Sequence, residues 1–336
     1  RAGIILLPLP LFFTPAQLQH ALQSAGAIGL MHDRPLMIDD DFLGESRFVK
    51  SLMMTFTACR NISVIALPSG TAKITFTSGS TADPKGVCLS NDNQYQVSQS
   101  LLTVLQMKNV RHLALLPLST LLENIAGLYT PLLSGGEIIL LGMEKTGFSG
   151  SLAGNIYQLL STISHYQPES LILVPELLSA LLLAAEQGWQ PPESLRFIAV
   201  GGSRVASEII ERARKFGLPV YEGYGLSECS SVVSLNTPTQ DKPGTAGKIL
   251  PHVDIQTEKG EITVSGNAFL GYIGTDLSHS NTFSTGDMGY LDPDGFLIIQ
   301  GRKKQLLISS YGRNINPEWV ESEVLAHPGI LQCVLF

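Results

Sequence analysis

Residues 170–225 read "SLILVPELLSALLLAAEQGWQPPESLRFIAVGGSRVASEIIERARKFGLPVYEGYG". Three apolar runs, "SLILVP", "LRFIAVGG" and "PVYEGYG", are separated by two helical ones, "ELLSALLLAAEQG" and "VASEIIERARKFG". Apolar strands spaced by helices of this length predict a parallel, doubly wound sheet covered on both faces. In such a sheet ligands bind at the carboxyl ends of the strands, where "GGSR" and "EGYGLSE" fall.

The alternation extends toward the N-terminus, where "GIILLPL" reads as a strand and "PAQLQHALQSAG" as a helix. Pro15 at a helix start and Gly217 at a helix end are the expected caps. Past Asn236 the texture changes to short strands with Gly and Asp-Gly turns: "VDIQTEKGEITVSG", "GYIGT" and "GYLDPDGFLIIQG". These predict a small antiparallel sheet or barrel. From Lys303 onward "QLLISSYG" reads as a strand and turn, and "NPEWVESEVLAHPG" as a helix. The expected class is α/β: two doubly wound, largely parallel subdomains at 1–108 and 109–236, a small β subdomain at 237–302, and the start of an α+β domain at 303–336.

A chain of 336 residues with 44% hydrophobic and 15% charged residues can bury a large core. Its net charge of −7 argues against a nucleic-acid surface, which would be basic. Cys59, Cys88, Cys229 and Cys333 lack paired spacing, so they read as reduced thiols of a cytoplasmic protein. The longest apolar stretches are too short for a membrane span and carry proline or glutamate. Both termini fall inside apolar runs, and the chain is expected to be a piece of a longer one.

One loop stands apart. "TSGSTADPKG" (residues 77–86) lies between the apolar pieces "KITF" and "VCLS". Small residues, hydroxyls and one lysine suit a polyanion such as a triphosphate. It is not a Walker loop, because Pro84 stands where the second glycine belongs and Gly86 follows the lysine. Nor does "GYGLSE" complete a dinucleotide fingerprint, since it ends in a carboxylate.

The ordered segments "FTSGSTADPKG", "LPLSTLLEN", "VGGSRV", "YEGYGLSE", "GEITVSG", "STGDMGYLDPDG" and "GRKKQLLISSYGRNINPEWVESE" resemble the adenylate-forming superfamily of acyl-CoA synthetases, luciferases and peptide-synthetase adenylation domains. The resemblance covers nearly the whole chain. It implies that Thr77, Ser78, Gly79, Ser80, Thr81 and Lys85 hold the β- and γ-phosphates of ATP, with Ala82 replacing a usual glycine. Gly201, Gly202 and Ser203 would lie on one face of adenine and Tyr224 on the other, within the segment Glu222, Gly223, Tyr224 and Gly225. Ser227 would lie near the α-phosphate, and Glu228 with Thr77 would ligate Mg²⁺. Asp287 and Arg302 would meet the ribose, and Lys304 would be the hinge of a rotating C-terminal domain. Thr77, Lys85 and Glu228 are the implied catalytic residues.

An acyl pocket is implied beside Thr120, with Leu121, Leu122 and Val200 in its wall. Thr120 replaces a histidine common in the acyl-CoA synthetase branch, while "LLEN" with Glu123 resembles long-chain acyl-CoA synthetases. The expectation is an acyl-activating ligase that joins a carboxylic acid, a fatty acid by this reading, to AMP and then to the thiol of coenzyme A. A carrier-protein phosphopantetheine is the alternative acceptor, and a catalytically inert nucleotide-binding relative is the alternative of another class. The family's bridging lysine, near the end of the C-terminal domain, is expected to lie beyond Phe336.

Overall fold

The computed structural model describes residues 3–39, 41–77, 85–149, 152–275, 282–305, 307–308, 314–327, 329–330 and 333–335. The chain divides into two units, residues 1–91 with 269–279 and residues 92–268 with 280–336.

In the first unit Thr14 caps helix α1 (Pro15–Ser24). Its hydroxyl accepts from the Gln17 amide, the Gln17 side chain accepts from the Thr14 amide, and Pro15 sits in the first turn. Strands β1 (Gly29–His32), β2 (Leu43–Val49) and β3 (Met54–Cys59) form an antiparallel sheet with β3 in the centre. The hairpin of β4 (Lys73–Thr77) and β5 (Lys85–Leu89) pairs Thr77 with Lys85, so the hydroxyl-rich loop does link two strands. Ile74, Phe76 and Cys88 of the hairpin share a core with Ala21 of α1.

Two details depart from the sequence reading. The described strands up to residue 91 pair antiparallel, and the short links from β2 to β3 and from β4 to β5 leave no room for the crossover that a parallel pair requires. "GIILLPL" contributes only a bridge from Leu6 to Lys73. Pro8 and Pro10 remove backbone donors just beyond that bridge, which prevents a ladder from continuing.

The second unit contains the doubly wound sheet. After helix α2 (Asn91–Leu105) come β6 (Arg111–Leu113), β7 (Glu137–Ile139), β8 (Ser170–Leu173), β9 (Phe197–Val200), β10 (Val220–Tyr224), β11 (Ser234–Leu235) and β12 (Lys248–Ile249). Their spatial order is β12-β11-β10-β9-β8-β6-β7. Strands β7, β6, β8, β9 and β10 run parallel, while β11 and β12 are antiparallel additions. Every residue of β8 and β9 is buried, as a sheet covered on both faces requires. Among the helices are α3 (Ile156–Tyr166), α4 (Pro175–Glu186) and α5 (Ser207–Lys215), and Leu178, Leu181, Ile210 and Ala213 of the last two are buried. Gly217 follows α5 at φ +81°, the left-handed position that ends a helix without a Cβ clash.

Strands β13 (Val253–Glu258), β14 (Glu261–Gly266), β15 (Thr282–Leu291) and β16 (Leu297–Arg302) make an antiparallel sheet in that order. Lys259 and Gly260 turn β13 into β14 with φ of +50° and +81°, the mirror-image turn that matches strand twist. Val253, Ile262, Val264 and Leu297 of this sheet pack with Cys229 and Val233 from the end of the parallel sheet. That shared core fixes the antiparallel sheet beside β10. "GYIGT" belongs elsewhere, because Gly271–Tyr272 pairs with β5 in the first unit. Helix α6 (Pro317–Leu325) is capped by Asn316, whose side chain accepts from the Glu318 amide.

Candidate active site

At the carboxyl end of β9 the chain turns through Gly201 and Gly202. Gly202 adopts φ +97°, which favours glycine. A Cβ on Gly201 would meet Gly223 O at 3.6 Å and Leu122 Cδ2 at 3.7 Å, ordinary contact distances. Glu222, Gly223 and Tyr224 lie on the adjacent strand β10. Gly225 follows immediately, where a Cβ would overlap the Ser231 carbonyl. Residues 226–231 therefore fold back tightly, with Ser230 and Ser231 at φ +54° and +98°. Left-handed backbone at consecutive non-glycine residues stores strain, which clusters at functional sites. Ser227 and Glu228 sit on the short turn that leads into it.

Asp287 comes from a different element and meets this segment. It lies on β15 opposite Arg302 on β16. The Tyr224 hydroxyl donates to Asp287 Oδ2 at 2.5 Å, and Arg302 Nε lies 2.8 Å from Oδ1. The Asp287 amide donates to the Thr285 hydroxyl at 3.0 Å. The Asp287 side chain is 5% exposed and that of Arg302 is 52% exposed. Burial raises the Asp287 carboxyl above its usual range; the Tyr224 bond and the Arg302 charge oppose this without cancelling it.

Glu222 is the second perturbed acid. Burial pushes it up to about 7, against the opposing pull of the Val205 amide and the Arg204 charge. Its Oε1 accepts from Val205 at 3.4 Å, and Oε2 makes no hydrogen bond of ordinary geometry. A buried acceptor of this kind suits a ligand donor such as an exocyclic amine.

The expected residues thus divide by location. Gly201, Gly202, Ser203, Glu222, Gly223, Tyr224, Gly225, Ser227, Glu228, Asp287 and Arg302 belong to the second unit, as do Thr120, Leu121, Val200 and Lys304. Thr77 and Lys85 flank the loop of the β4–β5 hairpin in the first unit, with Lys85 Nζ 5.4 Å from the Tyr272 ring centroid. Ser78, Gly79, Ser80, Thr81 and Ala82 lie outside the described residues. Lys304 is exposed just beyond β16. Val200 and Leu121 are core residues, whereas the Leu122 side chain lies beside Gly201.

A magnesium ion fits the donor chemistry. Among the described residues no group of three or more His, Cys, Asp or Glu side chains could hold a metal. Mg²⁺ is commonly held by one or two carboxylates together with substrate phosphates, and Glu228 offers such a carboxylate.

The sequence reading missed one constellation. His112 on β6, Ser170 on β8 and Glu123 form a buried hydrogen-bonded chain. A lone histidine in "RHLALLPL" and a glutamate in "LLENIAGL" were its signals, since charge inside apolar runs needs a partner.

The sequence matches the AMP-binding enzyme family over residues 1–273. The chain belongs to that family. It is 36% identical over 281 residues to the 2-succinylbenzoate–CoA ligase of Bacillus velezensis, an alignment that covers 78% of this chain and 55% of the relative. It superimposes on the o-succinylbenzoate coenzyme A synthetase of Bacillus subtilis in complex with ATP and magnesium ion with a TM-score of 0.67. That match has 29% identity and covers 82% of this chain and 59% of the other. The anthranilate CoA ligase AuaEII in complex with anthranoyl-AMP shares the fold, with a TM-score of 0.80 and 18% identity over 99% of this chain and 69% of that one. The chain spans about half the length of the curated relatives it matches. Neither the fatty-acid substrate nor the carrier-protein partner expected from the sequence finds support here, because the curated relatives are named for 2-succinylbenzoate and coenzyme A. Among the described residues no helix is long and apolar enough to cross a membrane.

Proposed function

We propose that this chain is the nucleotide-binding part of an AMP-forming acid–thiol ligase whose acid is an aryl carboxylate of the 2-succinylbenzoate type. One observation carries the nucleotide half of the reading: Tyr224 and Arg302, from two other strands, converge on the Asp287 carboxylate. Two carboxylate oxygens suit two vicinal hydroxyls, as on a ribose. The names of the curated relatives support the acid and the thiol.

In this reading a carboxylate oxygen of the acid attacks the α-phosphorus of ATP, and the bond to pyrophosphate breaks. The thiol of coenzyme A then attacks the acyl carbonyl, and AMP leaves. Asp287, oriented by Tyr224 and Arg302, holds the ribose, and Glu222 faces the base. Glu228 would hold Mg²⁺, which neutralises phosphate charge when bound. The strained turn after Glu228 keeps that carboxylate in place while the phosphates change partners.

ATP–pyrophosphate exchange by the full-length protein with 2-succinylbenzoate, simple aryl acids and fatty acids tests the proposal. Exchange is expected with the succinylbenzoate and only weakly with alkyl acids. Exchange driven by fatty acids alone would overturn the substrate class. Absence of exchange with every acid tested, in a protein that still binds AMP, would favour a nucleotide-binding relative without catalysis.

A further inference from the structure

The buried network around Glu123 plays no part in the chemistry above. Glu123 opens a π-helical stretch, Glu123–Tyr129, and is 0% exposed; His112 is 1% exposed. His112 Nε2 lies 2.7 Å from Glu123 Oε1, His112 Nδ1 lies 2.9 Å from Ser170 Oγ, and the Leu116 amide donates to Glu123 Oε2 at 3.1 Å. One proton arrangement fills every site: the Ser170 hydroxyl donates to Nδ1, Nε2–H donates to Oε1, and the Leu116 N–H donates to Oε2. Gly127 makes the space, since a Cβ there would stand 2.6 Å from His112 Nε2 and overlap Glu123 Oε1.

Such a network is an expensive way to fill a core. Apolar side chains of equal volume would pack as well or better, and π-helical turns recur at functional sites. What the network encloses is informative. Residues 117–122 lie between the Leu116 amide and Glu123, in a turn where the Thr120 amide donates to the Pro117 carbonyl at 2.8 Å. The Asn124 amide closes it by donating to the Thr120 carbonyl at 3.0 Å. Leu122 of this turn faces Gly201, at the carboxyl end of β9. Glu123 therefore ties both ends of the turn to the sheet, through His112 on β6 and Ser170 on β8.

We propose that Glu123 is a positioning residue of the acid subsite: with His112 and Ser170 it locks residues 117–122 beside Gly201 and so sets the fit of the acyl group. This rests on the ligase reading. Substitution predicts two different outcomes. Leucine leaves the Leu116 N–H and His112 Nε2–H without acceptors. Glutamine can restore the chain, because its oxygen accepts from Leu116 while its NH₂ donates to Nε2 of the other histidine tautomer, whose Nδ1–H then donates to Ser170.

The test uses the full-length protein and measures KM for 2-succinylbenzoate and for ATP, hydrogen exchange at the Leu116 amide, and the thermal shift on adding AMP. Glu123→Gln should stay within about threefold of wild type in every respect. Glu123→Leu should raise the acid KM by at least about tenfold, leave the ATP KM unchanged and speed Leu116 exchange. If Glu123→Leu shows no AMP shift and so has not folded, Ser170→Ala serves in its place, with an expected rise in acid KM of about threefold. An unchanged acid KM in the folded variant of an active enzyme overturns this inference alone. A wild-type protein with no acid-dependent exchange overturns the ligase reading and this inference with it.

Discussion

The Tyr224 hydroxyl and Arg302 Nε each hold one oxygen of Asp287, at 2.5 and 2.8 Å, although the three residues lie on three strands of two different sheets. Tyr224→Phe keeps the ring and removes one of these donors. Hydrogen bonds to charged groups contribute about 1.5–3 kcal/mol, so AMP affinity should fall by roughly tenfold or more. Calorimetric titration with AMP checks this. Unchanged affinity would mean that Arg302 alone orients Asp287.

Glu222 predicts a pH dependence of stability. Below about pH 4.5 its carboxyl is protonated in folded and unfolded chains alike, and between there and about 7 only the unfolded chain ionises readily. The folded state binds the extra proton, so stability should decline across that interval by up to about 3 kcal/mol and level off above it. Glu222→Gln should remove this decline. Urea titrations of both proteins at several pH values measure the difference, and parallel curves would show that Glu222 ionises normally.

In the proposed reading Glu228 serves the metal and not the base or ribose. Glu228→Gln should weaken Mg²⁺-dependent ATP binding by about tenfold or more while leaving AMP binding nearly intact. Equal losses for both nucleotides would place its role in the fold of the 226–231 turn.

Two glycines at the ends of neighbouring strands should respond differently to alanine. At Gly225 the added methyl meets the Ser231 carbonyl, which is backbone and cannot swing away. Gly225→Ala should cost more than about 2 kcal/mol of stability. At Gly202 the nearest atom is 3.9 Å away, and only the φ of +97° opposes a side chain. Gly202→Ala should cost about 1–2 kcal/mol. Denaturant midpoints of the two variants give the comparison.

Local pattern carried much of this architecture. The alternation at 170–225 specifies parallel strands because fully apolar runs can be covered only by helices on both faces, and β8 and β9 are buried throughout. The capped helices α1 and α6 and the Lys259-Gly260 turn were equally legible, since each rests on contacts within a few residues. Pattern was less able to assign partners. "GYIGT" reads as a strand in either sheet, and only long-range packing decides that Gly271–Tyr272 joins β5. The antiparallel pairing of the first unit was hidden for the same reason.

The site shows the same division. Residue types suggest a polyanion at residues 77–86, and the resemblance to the adenylate-forming superfamily implies the base, ribose and metal roles for other short segments. The chain alone could not reveal that Tyr224 reaches Asp287 across 63 positions, or that His112 joins Ser170 and Glu123 in a closed network. A hydrogen bond is set within a few tenths of an ångström, and that precision arises only when separate elements pack. Burial likewise raises Glu222 to about 7, and burial is a property of the assembled core and not of any segment read alone.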